Sequence, residues 1–338
     1  MKIYTLKIKT AKLIIQKWGR HLLLGTILFA IPMMALFLKG QQAVRGLTWE
    51  YKIKSQPTST FTSSLEQGFY WGVYDPDNQF INSNTLAIDH YFISWLSDPQ
   101  QLLEQIQSTL DRNRWPLVTL EPYPYPDQPK GEQTILIDIV NQKYDQSINK
   151  FCGLFSQINH PVFIRWGHEM ENVTGRYPWA SEDASAYIEA YKYFVNLCRQ
   201  QFSQGYYIWS PVGHMELTNY WPGELYVDYI GLSLYVFTDW ELDHFHRFRS
   251  FSEILNERYR LVQQYQKPVI IAEMGINGEP GFQTQWLTEA FAALTKEKYP
   301  LLRTLVYFNA MDSPDAWGTK YPVPDWRIEK ELFEESAR

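Results

Sequence analysis

The chain reads as an α/β protein, a (β/α)8 barrel of the TIM type preceded by one N-terminal transmembrane helix. Short apolar runs alternate with helix-patterned segments from Gly68 onward, and two of those runs end on a glutamate, far apart in the chain. A single uncharged apolar stretch lies near the start.

Strands are expected at 69–74, 86–93, 116–120, 162–165, 206–209, 229–234, 269–272 and 304–308. Each is short, rich in β-branched or aromatic residues, and bounded by turn formers. Helical periodicity occupies 99–110, 135–158, 181–201, 251–265 and 284–294. Eight strands with helices between them, in roughly 270 residues, suit a closed barrel better than an open doubly wound sheet.

Residues 22–38 carry no charge, and their 17 positions lie at the short end of what spans a bilayer. Six positive charges precede them (Lys2, Lys7, Lys9, Lys12, Lys17 and Arg20), which keeps the N-terminus cytoplasmic and exports the rest. The expected organisation is a basic cytoplasmic segment (1–21), a transmembrane signal anchor (22–38), a linker (39–66) and the barrel (67–338). Gln41-Gln42-Ala43 is a weak cleavage site, so an uncleaved anchor in the cytoplasmic membrane is favoured over secretion after cleavage. Ser and Thr dominate residues 56–64, as in a tether.

Lys39 and Arg45 bring the cations of the first 45 residues to eight, with no acid among them; removing eight from the net charge of −6 leaves −14. An acidic body repels phosphate backbones, which argues against nucleic acid as a partner. Aromatic residues reach 16% of the chain, and Trp and Tyr at strand ends suit stacking on sugar rings as well as core packing. Cys152 and Cys198 fit neither a zinc motif nor a disulfide framework; two small buried side chains and one bridge in an oxidising compartment both remain open.

In such a barrel, chemistry sits where strands end. That rule selects Asp75, His90, Glu121, Arg165, His168, Glu169, Trp209, Tyr235, Glu273 and Asp312. Glu169 follows the fourth strand in Arg165-Trp166-Gly167-His168-Glu169-Met170, and Glu273 ends the seventh in Ala272-Glu273-Met274-Gly275. Hydrolysis of a glycosidic bond needs two such carboxyls, one protonated toward the leaving oxygen and one ionised toward the sugar carbon. Burial in an aromatic loop favours the protonated form of Glu169, and contact with Arg165 or Tyr235 favours the ionised form of Glu273.

These motifs, with Tyr177-Pro178-Trp179, Trp209-Ser210-Pro211 and the run from Tyr220 to Gly231, resemble the family 26 glycoside hydrolases, the β-mannanase and mixed-linkage β-glucanase group. The resemblance implies Glu169 as acid/base and Glu273 as nucleophile, with Arg165, His168 and Tyr235 in support and Trp179 as a sugar platform. It also implies retention of anomeric configuration without a cofactor or metal. Trp209, His90, Glu121, Trp95, Trp240 and Trp317 are further candidates for sugar contact. Glu171 stands where the family often has asparagine, in a longer loop, which is expected to alter the rim facing the sugar.

Three signals are set aside. His244 and His246 lack the further ligands a metal needs, no second histidine follows His168-Glu169 at zincin spacing, and no Gly-x-Ser-x-Gly elbow occurs. The expected activity is a membrane-anchored endo-β-glycanase acting outside the cytoplasm on a β-linked polysaccharide. A polysaccharide synthesis or export machine is the suggested partner. An exo-acting barrel glycosidase and a catalytically silent polysaccharide-binding accessory are the rivals.

Overall fold

The computed structural model describes residues 69–125, 134–314 and 316–336. The expected basic segment, transmembrane anchor and linker lie outside the described residues, among which no helix is long and apolar enough to cross a membrane.

Eight strands run Tyr70–Tyr74 (β1), Ile88–Ser94 (β2), Trp115–Glu121 (β3), Val162–Trp166 (β4), Gly205–Trp209 (β5), Tyr229–Val236 (β6), Val269–Ile276 (β7) and Leu302–Phe308 (β8). All pair in parallel in sequence order, and β8 closes on β1, which gives the expected barrel. Described helices are Pro99–Asp111 (α1), Ile135–Val140 (α2), Asp145–Phe155 (α3), Ala184–Gln201 (α4), Thr238–Phe245 (α5), Phe251–Val262 (α6), Pro280–Ala293 (α7) and Lys330–Ser336 (α8).

Local chemistry sets the helix starts. Asp98 accepts from the Gln100 amide ahead of α1, Asp183 accepts from the Ser185 and Ala186 amides ahead of α4, and Ser250 with Glu253 forms a capping box on α6. The region 135–158, read as one helix, is two. From Ile139 the next buried position is Tyr144, five residues on, which breaks the apolar stripe, and Gln142 turns the chain at φ 69°. No helix joins β1 to β2. Instead, Arg114 donates to the carbonyls of Phe80, Ile81 and Ser83 and pairs with Asp89 at 2.7 Å, so one buried guanidinium organises that connection.

Strand alternation divides the core. Outward residues such as Val118, Ile164, Trp166 and Trp209 pack under the helices. Inward, the barrel floor is aromatic, with the Phe163 ring 5.5 Å from Tyr206 and 5.2 Å from Tyr229. Above that floor the lining turns polar, with Thr119, Arg165, Ser210, Ser233 and Glu273 meeting one another. The switch from apolar to polar lining marks the functional end.

Cys152 and Cys198 form a disulfide that joins α3 to α4 across 46 positions of sequence. Closing a loop of this span in the unfolded chain contributes about 4 kcal/mol on the chain-entropy model. Reductant is therefore expected to lower the denaturant midpoint of unfolding, and Cys152→Ser is expected to reproduce that loss. A midpoint unmoved by reductant contradicts the bridge.

Candidate active site

Arg165, on β4, is wholly buried and organises the mouth of the barrel. Its Nη1 donates to Glu273 Oε1 at 2.5 Å and to Thr119 Oγ1 at 3.4 Å, its Nε to Ser210 Oγ at 2.8 Å, and its Nη2 to Ser233 Oγ at 3.4 Å. One guanidinium thus touches residues from β3, β6 and β7 and the residue that follows β5. Ser210 fits beneath it because Gly231 has no side chain: a Cβ there would collide with Ser210 Oγ.

Glu273 lies within β7, which continues to Ile276, and the strand register pairs it with Ser233. Its second oxygen, Oε2, accepts from the Tyr235 hydroxyl at 2.6 Å. Gly275 makes this bond possible, since a Cβ at that position would lie 2.7 Å from the Tyr235 ring. Both carboxylate oxygens are therefore held, one by a cation and one by a phenol.

Glu169 is reached through Ser233, whose Oγ donates to Glu169 Oε1 at 2.7 Å. A continuous path runs Glu273–Arg165–Ser233–Glu169, which brings the two glutamates to the same end of the barrel. Glu169 adopts φ 57°, a left-handed backbone that is uncommon for a residue with a side chain. The Glu169 amide donates to Ser210 O at 2.8 Å, which pins the turn. Burial first, and then the charge of Glu273, raise its carboxyl above the ordinary range, while Arg176, Arg165 and the Ser233 bond oppose the rise. The neighbouring Glu121, at the end of β3, is pushed up to about 7 by burial and by Glu273. Three carboxyls in mutual electrostatic reach, two with raised pKa, form an acid–base centre.

Several expected contacts take other places. Trp179 is fully buried; its Nε1 donates to His168 O at 2.7 Å and its ring stacks on Tyr177, so it braces the loop and offers no platform to a sugar. Trp209 points outward by strand alternation and packs on Trp221 under the helices. Trp95 is buried against Tyr144 and bonded to Tyr123 O. His90 is buried beside Thr119, below the carboxyls, and has no surface for substrate. Trp240 and Trp317 are half-buried at the rim, with ring centroids 5.9 Å apart. His168 is fully buried; burial and Arg165 hold its pKa far below the usual value, so a neutral ring shares a hydrogen bond with the Tyr177 hydroxyl at 3.1 Å.

Glu171 does not face a rim. It is buried, and its Oε1 accepts from the Gly213 amide at 2.9 Å and the His214 amide at 3.4 Å, tying the Glu169 turn to the segment after β5. Sequence reasoning missed Ser210, Ser233 and Arg176. The two serines carry no signal beyond inward strand parity, and Arg176 sits in a loop without period. Tyr74, Phe92 and Phe308 were also missed as a group. Tyr74 and Phe308 end β1 and β8 and Phe92 lies two residues before the end of β2; all three are half-buried and pack together at 4.7–5.8 Å.

No protein-family model matches the chain. It is 23% identical over 292 residues to Endoglucanase H of Acetivibrio thermocellus, covering 81% of this chain and 30% of that protein. It is 21% identical over 221 residues to a beta-1,3-xylanase of an Alcaligenes species, covering 56% of this chain and 43% of that protein. The chain therefore spans less than half the length of either curated relative. Among solved structures it superposes on a family 26 glycoside hydrolase, a β-mannanase from Bacteroides ovatus, with a TM-score of 0.59, 14% identity, and coverage of 82% of this chain and 91% of that one. At that identity the likeness is one of fold, and the fold is that of the family the sequence motifs resemble.

Glu171 supplies a test of the electrostatics. Burial raises its carboxyl from 4.5 to about 7, against the pull of its backbone donors. The folded state thus holds a proton that the unfolded state releases, so this contribution to stability is complete below about 4.5 and is lost as pH rises toward 7. Urea unfolding at pH 5 and pH 8 is expected to show a smaller loss for Glu171→Gln than for the wild type. An equal loss in the two proteins contradicts the assignment.

Proposed function

We propose that the chain is a retaining endo-β-glycanase that hydrolyses a β-linked polysaccharide of the mannan or β-glucan type. The observation that carries the reading is the path Glu273–Arg165–Ser233–Glu169, with its opposite provision for the two carboxyls. Glu273 is met by a cation and a phenol donor, whereas Glu169 is buried beside a second carboxyl that favours its protonated form.

The chemistry follows from these contacts. Ser233 occupies Glu169 Oε1, so the acidic proton belongs on Oε2 and is delivered to the glycosidic oxygen as that bond breaks. Glu273 attacks the sugar carbon from the opposite face, giving a covalent glycosyl ester. Water then attacks the same carbon, Glu169 takes the water's proton, and the ester bond to Glu273 breaks, which restores both side chains. Neither step requires a metal or cofactor.

Export and tethering belong to the same reading. The basic flank and apolar run at 22–38 support a signal anchor, and the Cys152–Cys198 bridge supports an oxidising compartment. An anchored hydrolase beside the membrane acts on exported or cell-surface polysaccharide, which makes a polysaccharide synthesis or export machine its natural partner. The curated relatives, an endoglucanase and β-1,3-xylanases, widen the substrates to be tried beyond mannan.

The full chain is to be incubated with mannan, mixed-linkage β-glucan, cellulose and xylan, and the anomeric form of the first products read by NMR. Hydrolysis with retention is expected, and inversion or silence on all four contradicts the proposal. Glu273→Ala should abolish turnover of polysaccharide, and Glu169→Ala should lower it by about 10²- to 10⁴-fold. Tyr235→Phe removes one bond to a charged group, and kcat should fall by about ten- to a hundredfold. An unchanged kcat would separate Tyr235 from the nucleophile. Activity should fall on the alkaline side as Glu169 loses its proton, at a pH above the ordinary carboxyl value of 4.5. An alkaline limb that Glu169→Gln leaves in place in the residual activity assigns that ionisation elsewhere.

A further inference from the structure

Arg176 lies in the loop after β4 and Asp312 in the loop after β8, and their side chains meet at 3.2 Å. In a closed barrel of eight strands in sequence order, β4 and β8 stand diametrically opposite. A contact between their loops therefore has to span the mouth.

Both ends of this contact are braced. Asp312 Oδ2 accepts from the indoles of Trp317 at 3.1 Å and Trp326 at 3.2 Å, and Oδ1 accepts from the Ser313 amide at 2.7 Å as well as from Arg176. Only 8% of the Asp312 side chain is exposed, which makes it a prepared acceptor rather than a chance surface partner. Further along, Tyr321 and Lys320 bond to Asp243 of α5, and Trp317 packs on Phe237, so the segment after β8 leans toward β6. On the other side the Arg176 guanidinium sits over the Tyr177 ring at 5.1 Å, and Tyr177 is bonded to His168 beside Glu169. The Arg176 charge opposes the upward pKa shifts of both Glu169 and Glu121, so it lies within electrostatic reach of the carboxyl cluster.

We propose that the Arg176–Asp312 pair is a specificity-determining bar across the barrel mouth, which must part before the interior of a long glycan reaches the two catalytic carboxyls. In this proposal the made pair leaves a pocket entered from the side of β1, β2 and β3, where Tyr74, Phe92 and Tyr123 are half-buried. Short oligosaccharides and chain ends enter that pocket directly. Internal attack on a polymer requires the bar to open. The inference rests on the glycanase reading and adds to it the control of chain length.

The test compares kcat/KM on a polysaccharide that the wild type hydrolyses, mannan or mixed-linkage β-glucan, with kcat/KM on the trisaccharide of the same sugar and linkage. Arg176→Gln and Asp312→Asn should each raise the polymer-to-trisaccharide ratio by about fivefold, the scale of a partly exposed ion pair. Arg176→Lys, which can keep the pair, should return the ratio toward the wild-type value. Molar sodium chloride should raise the ratio for the wild type, because salt reaches the partly exposed Arg176 side of the pair, and should leave the two charge-removing variants unmoved. The salt comparison needs no substitution and is independent of any folding defect in a variant. A ratio that neither salt nor substitution changes overturns the bar and leaves the glycanase reading intact. Failure of the wild type to hydrolyse any of these glycans overturns the glycanase reading and the bar with it.

Discussion

The buried guanidinium of Arg165 is the constraint from which the rest of the site follows. A cation with no exposed surface is costly to desolvate, and it is tolerated only where its donors are met. Here the donors go to Glu273, Ser210, Ser233 and Thr119, one partner from each neighbouring part of the wall. Removing any one of these acceptors leaves a donor unpaired in a low-dielectric interior. The polar layer beneath the mouth is thus a single network, and it fixes Glu273 directly and Glu169 through Ser233.

The loops then act on what the network has fixed. Glu169 occupies a left-handed turn that would relax if free, but Ser210 O holds its amide and Glu171 grips the segment 213–214. Trp179, Tyr177 and His168 fill the space behind that turn and exclude water from one side of the acid. The result is a rigid carboxyl pair under a mouth whose loops converge from opposite strands.

Much of this was legible in the sequence, for identifiable reasons. Parallel strands buried on both faces read as apolar runs, so the barrel could be picked out, with Glu169, Arg165 and Tyr235 near strand ends, whereas β7 continues past Glu273 to Ile276. Trp95, Trp179 and Trp209 were misplaced because residue type does not reveal which way a side chain near a strand end points. Trp209 faces outward while its neighbour Ser210 faces the site. Glu171 was placed on the rim because it stands, in a longer loop, where the resembled family often has asparagine, yet it is buried and bonded to two backbone amides. The one helix expected at 135–158 missed a reset at Gln142, where neither Gly nor Pro marks the turn. Neither the disulfide nor the Arg176–Asp312 contact has a local pattern, since each depends on how distant elements pack.

The central claim is that Glu273 forms a bond to the sugar while Glu169 manages the proton. The most direct measurement is to trap that bond with an activated 2-deoxy-2-fluoro analogue of the hydrolysed sugar, which slows release of the covalent intermediate, and to locate the label by peptide mass spectrometry. The account predicts one sugar per chain, attached to Glu273. A label on Glu169, Glu121 or any other residue, with Glu273 unmodified, contradicts it.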